Sequence, residues 1–131
     1  MRSLLLVLSV LLTACQTNPF SEVPESLVLR VKTFEDVVRW RPLDKMYLFE
    51  RQDPEAEPRT PPDGLDNVRV TNYEVVAQLS KVGEMRWAQT AVIDYVLTDR
   101  QVVRQVTDQQ VWESDDEGKS WYRTTPVPQF R

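Results

Sequence analysis

An α+β domain, with N-terminal helices packed on a curved antiparallel β-meander of about four strands, is the fold class this sequence predicts. Three observations carry it. Apolar residues recur at intervals of three and four between Glu25 and Trp40, they alternate with polar ones from Val68 onward, and polar turns divide that second stretch. Helical spacing first and strand spacing afterwards places the helices and the sheet in separate parts of the chain.

Within Glu25 to Trp40, residues Leu27, Val31, Phe34 and Val38 form one apolar stripe of an amphipathic helix. Thr33 followed by Asp36 has the spacing of a helix cap, so the region reads as one helix or as two short ones. Pro42 interrupts the pattern, because a proline inside a helix removes a hydrogen bond and clashes with the preceding turn. Leu43, Met46, Tyr47, Leu48 and Phe49 indicate a further short helix whose apolar cluster supplies core. Asp53 to Gly64 (DPEAEPRTPPDG) is too rich in proline and acid for a ladder or a helix interior, and reads as an exposed loop.

The rest is β-rich. Tyr73, Val75, Ala77 and Leu79 alternate with polar residues, while Val68 and Val70 carry the opposite phase, which predicts a β-bulge near Thr71-Asn72. A hairpin turn is expected at Lys81 to Glu84, around Gly83. The strongest strand is Trp87 to Leu97, with Trp87, Ala91, Ile93, Tyr95 and Leu97 on one face. Thr98 to Gln101 forms the next turn, and Val102 to Trp112 a third strand with a polar outer face. Asp115 to Gly118 turns the chain into a fourth strand, Lys119 to Thr125, which Pro126 and Pro128 end. Successive short turns make neighbouring strands antiparallel.

Composition narrows the chemistry. Of 131 residues, 41% are hydrophobic and 27% charged, the formal net charge is -4, and there is one Cys and no His. Such a chain supports one domain with a core of its own. A lone Cys excludes an intramolecular disulfide and a Cys-rich metal site, and the lack of His excludes Ser-His and Cys-His nucleophile pairs and most zinc sites. An acidic balance opposes nucleic-acid binding. No phosphate-cradling glycine loop or metal-ligand spacing is present, and the acids at 115–117 lack the alternation of a calcium loop, so neither a cofactor nor a metal is expected.

The N-terminus carries an address. Arg2 precedes the apolar run Leu4 to Leu12, which is too short to span a bilayer and has the length of a signal-peptide core. Leu12-Thr13-Ala14-Cys15 follows, and this resembles the lipobox of bacterial lipoproteins. The resemblance implies cleavage before Cys15 and acylation of Cys15, with residues 1–14 as signal, 15–25 as lipidated Cys and tether, and 26–131 as the domain. Gln16, which is not Asp, implies sorting to the outer membrane, with the domain facing the periplasm. Loss of Arg2 with the signal leaves an acidic domain that an anionic membrane repels, so lipid supplies the attachment.

From about Leu27 to Val127 the order of elements resembles the NTF2-like (cystatin-like α+β) superfamily, in which helices fill a strongly curved sheet. The residues that carry the likeness are Val70 to Val76 (with its bulge), the long strand Trp87 to Leu97, and the closing pattern Trp112-Glu113 with Gly118 to Tyr122. It implies a cone between helices and sheet, whose expected lining is Trp40, Tyr47, Tyr73, Trp87, Tyr95 and Trp112. Trp40, at the helix end, is placed at the pocket mouth, while Trp87, Trp112, Trp121 and Tyr122 are also natural core residues of a small sheet.

The expected function is therefore non-enzymatic binding of a protein partner or an apolar small ligand by a lipid-anchored envelope protein. One alternative is an envelope assembly adaptor whose acidic loop, Asp53 to Asp63, docks a basic partner; a homodimer through the sheet is a further option. The enzyme alternative is a cavity acid, as in superfamily members that use an Asp and a Tyr. Its best candidate, Asp94, neighbours Tyr95 on one strand and so points to the other face, with Arg104 across as an ion-pair partner.

Overall fold

The structure is a computed structural model that describes residues 23–131. The apolar run, the motif at Leu12 to Cys15 and most of the tether lie outside the described residues. Val23 already packs against the core.

Helix α1, Glu25–Trp40, buries Leu27, Val31, Phe34 and Val38, the stripe that the spacing predicts. It is one helix. Thr33 makes no cap; its hydroxyl donates to the Leu29 carbonyl at 2.8 Å, a bond back along the same helix that leaves the ladder unbroken. Pro24 supplies no side-chain cap, and its carbonyl instead accepts the amides of Leu27 and Val28. The helix stops because Pro42 forces the preceding Arg41 into extended backbone (ψ 166). A 3₁₀ segment, Leu43–Phe49, then buries Leu43, Met46, Tyr47 and Phe49. Leu48, expected in the same cluster, points outward and is exposed.

After the exposed loop, Gly64 adopts a left-handed conformation (φ 89) that turns the chain into the short 3₁₀ segment Leu65–Asn67. Strands β1 (Val68–Gly83), β2 (Arg86–Leu97), β3 (Val102–Glu113) and β4 (Tyr122–Arg123) follow in an open antiparallel sheet ordered β1-β2-β3-β4. The β2–β3 register runs unbroken from Arg86↔Glu113 to Leu97↔Val102. β1 is different: its register against β2 shifts between Val70 and Asn72, as predicted, and again at Val75/Ala77, Ala77/Ser80 and Lys81/Gly83. Each shift increases the local bend and twist, which curves this edge of the sheet. The second shift also reverses the phase of Ala77, which pairs with Thr90 and is exposed instead of facing the core.

Other expectations give way for local reasons. The first hairpin turn is Glu84-Met85, with Met85 left-handed (φ 49), and Gly83 stays in the strand opposite Arg86. β4 is shorter than the composition suggests. Beyond Arg123 the Val111 amide bonds the Thr125 side-chain hydroxyl (3.1 Å) in place of a ladder carbonyl, and Pro126 has no N–H to offer. β3 is not polar only on its outer face, because Asp108 and Gln110 are buried with Trp112 on the inner one.

One face of the sheet carries the core. From β2 it takes Trp87, Ala91, Ile93, Tyr95 and Leu97, as expected, and also Gln89. Phe34 of α1 meets Phe49 and Trp112 edge-on at 5.2 and 5.7 Å between ring centres, which joins helix, 3₁₀ segment and sheet. Phe34→Ala should therefore cost about 3–5 kcal/mol in urea unfolding, the range for a fully buried aromatic, while Lys32→Ala on the outer helix face should change stability by less than about 0.5 kcal/mol.

Candidate functional site

Side chains fill the space between α1 and the sheet. Five of the six residues expected to line a cone, Tyr47, Tyr73, Trp87, Tyr95 and Trp112, are buried members of the core. The sixth is not inside at all. Trp40 is 75% exposed, because it ends α1 on the side opposite the buried stripe. Tyr95 holds the final segment: its hydroxyl donates to the Arg131 carbonyl at 2.9 Å, and Phe130 packs edge-on against its ring at 4.9 Å.

At the centre of this interior lies a polar network. Arg123 and Asp108 form an ion pair at 0% and 2% side-chain exposure. The guanidinium donates twice to the carboxylate and also to the carbonyls of Thr125 (3.0 Å) and Pro126 (2.8 Å), with its face 5.0 Å from the Phe34 ring centre. Gln110 Nε2 donates to Asp108 (2.9 Å) and to the Tyr73 hydroxyl (2.7 Å), while Gln110 Oε1 accepts from the Trp112 indole (3.1 Å) and from Gln89 (3.4 Å). Burial, with Asp108 nearby, raises the Tyr73 phenol far above its ordinary value, so it stays neutral. Among the described residues no buried side-chain nitrogen or oxygen lacks a partner. A network so completely satisfied acts as structure.

Asp94 takes the outward position that its neighbour relation to Tyr95 requires. Its carboxylate accepts from Gln105 Nε2 at 2.7 Å, a bond exposed to solvent. Arg104 is not its partner: the β2–β3 register sets Arg104 opposite Tyr95 and Gln105 opposite Asp94.

Two open concavities border the acidic loop. One of about 430 Å³ lies between Tyr47, Gln52, Glu57 and Pro61, and another of about 580 Å³ between Arg30, Leu48, Pro54, Trp121 and Tyr122. Arg51 stands on the border of both, donating to Asp115 (2.8 Å) and to the Tyr122 hydroxyl (3.2 Å). This cluster is exposed, and an ion pair so placed contributes about 0–1 kcal/mol. Arg59 is tied to Glu50 at 3.2 Å. Asp44, Asp53, Glu55, Glu57, Asp63 and Asp66 stay exposed and outnumber the cations Lys45, Arg51 and Arg59 on this side, which leaves it acidic. Among the described residues no group of His, Cys, Asp or Glu is placed to hold a metal ion.

The turn before β4 borders the second concavity and is braced by Asp116. Its carboxylate accepts from the Ser120 amide (2.9 Å) and hydroxyl (2.6 Å) and from the Ser114 hydroxyl (2.8 Å). Gly118, left-handed at φ 87, presents its carbonyl to the Ser26 hydroxyl (2.7 Å), and the Trp121 indole donates to the same hydroxyl oxygen (2.9 Å). The turn is thereby fastened to the first turn of α1.

No protein-family model, curated protein or solved structure matches the chain.

Composition does not single out Arg123, Asp108 or Gln110. A signal exists in β3, where Val106, Asp108, Gln110 and Trp112 share one phase and two polar residues stand among apolar ones. The hydrogen bonds from Ser120 and Ser114 hold Asp116 at about 2, below its ordinary 3.8. A depressed carboxylate supports the fold above its unfolded value and loses that support as pH falls through the folded one. Hydrogen-exchange protection at Gly118 and Ser120 should thus be level above about pH 4 and decline toward pH 2, and Asp116→Asn should flatten the profile.

Proposed function

We propose that this chain is a bacterial lipoprotein, anchored through Cys15 in the outer membrane and facing the periplasm, with a non-enzymatic NTF2-like domain that binds a protein partner. The observation that carries the partner is the acidic side of the domain. There an exposed acid-rich loop, whose Arg59 pairs with Glu50, borders two open concavities that also carry Lys45, Arg51 and Arg30. Complementary charge on a basic partner gives such a surface orientation and association rate. This favours the adaptor form of the reading, docking through Asp53 to Asp63.

Support for the anchor is the sequence Leu12-Thr13-Ala14-Cys15 behind a short apolar run. No helix among the described residues is long and apolar enough to cross a membrane. Support for the NTF2-like assignment is the order of helix and strands, together with a bulged, curved β1. The small-ligand version has less behind it, since the aromatic residues meant to line a cone are spent on packing. A cavity acid at Asp94 has none, because that carboxylate faces outward against Gln105.

One experiment with two arms tests this. Cells fed labelled palmitate and expressing the chain should yield a labelled protein in the outer-membrane fraction, and Cys15→Ser should be unlabelled; an unlabelled or freely soluble parent protein overturns the anchor. In the second arm, a partner co-purified stoichiometrically from detergent extract should be lost when Asp53, Glu55 and Glu57 are changed to Lys. Retention of the partner by that variant overturns the docking role of the loop.

A further inference from the structure

We propose that the depression at the C-terminal end of α1, against the edge strand β1, binds a carboxylated saccharide. Its lining is Arg39, Trp40, Arg69, Val70, Thr71 and Asn72, around a volume of about 260 Å³. It lies away from the acidic loop and shares no residue with the concavities there.

Trp40 is the most exposed large ring of the domain and belongs to no aromatic pair among the described residues. A ring left in water offers a flat apolar face with an N–H at its edge, suited to stack a cyclic ligand. Two guanidinium groups accompany it. Arg39 is engaged by Glu35 at 3.0 Å, an ion pair that neutralises it, and by the Tyr73 carbonyl at 2.9 Å, which leaves Arg69 as the cation available to a ligand. Arg69 is exposed and has no ion-pair partner among the described residues, so its planar donors are free for a carboxylate.

The bulge decides between an extended and a compact occupant. Thr71 falls between the paired residues Val70 and Asn72 without a partner of its own, which breaks the edge of β1 at this point. A bulged edge resists addition of a peptide strand. The depression is also smaller than the roughly 300–1,000 Å³ of sites for drug-sized ligands, which fits a single ring. The exposed side chains of Thr71 and Asn72 then offer a hydroxyl and an amide to a ligand rich in hydroxyl groups. Stacking face, cation and polar edge together describe a sugar that bears an acid.

The test uses the purified full chain and three probes: N-acetylmuramic acid (ring and carboxylate), N-acetylglucosamine (ring without it) and lactate (carboxylate without ring). The acid sugar should shift the Trp40 indole N–H signal in nitrogen–proton spectra, saturating with a dissociation constant of about 1 mM, and the other two should bind about tenfold more weakly. Arg69→Gln should reduce the acid sugar to the level of the neutral one. Trp40→Ala should remove the response at the Thr71 and Asn72 amides, with an unchanged urea midpoint showing that the fold is intact. Equal responses to all three probes, no response to any, or binding that survives Trp40→Ala overturns the proposal. None of these outcomes depends on the lipid anchor or on the acidic loop.

Discussion

The guanidinium of Arg123 and the carboxylate of Asp108 meet where helix, 3₁₀ segment and sheet converge, and both are removed from water. Isolated, either charge would cost several kcal/mol to bury. Together they are satisfied, because Arg123 also caps the Thr125 and Pro126 carbonyls and Asp108 also accepts from Gln110. The pair reaches into every neighbouring element. Its cation lies over Phe34 of α1, its backbone bridges Glu50 beside the 3₁₀ segment, and its acid stands on β3. A two-residue β4 makes only a short ladder, so the position of the last segment rests on this side-chain lattice together with the Tyr95 contacts to Phe130 and Arg131.

That dependence explains which parts of the fold were legible. The stripe of α1 and the alternation of β2 are properties of each segment by itself, and the period alone fixes the buried face. Pro42 stops the helix by its covalent geometry, and the phase change at Thr71 announces its bulge. The shared phase with Val106 and Trp112 hints at the burial of Asp108 and Gln110, but polar residues are buried only with partners. Their partners, Arg123 and Tyr73, come from other strands and are known only once the strands are in register. The same holds for Arg104, set opposite Tyr95 by the unbroken β2–β3 pairing, and for Ala77, turned outward by a bulge that no phase change marks.

The candidate site divides in the same way. Tyr47, Tyr73, Trp87, Tyr95 and Trp112 lie inside as buried members of the core. Trp40 sits on the face of α1 opposite the buried stripe, and its exposure follows from that position in the last turn before Pro42. The features left at the surface are an acidic loop and a depression lined by Trp40, Arg39 and Arg69, on separate parts of one small domain.

The central claim is that Arg123 and Asp108 act as a unit that fixes the C-terminal segment to the core, and a double-mutant cycle in urea tests it most directly. Arg123→Met and Asp108→Leu should each cost about 3–5 kcal/mol, since each leaves a buried charge uncompensated. The double variant should cost less than the two together by at least about 1 kcal/mol, because neither charge then remains. Losses that simply add, or single losses below about 1 kcal/mol, would contradict the account.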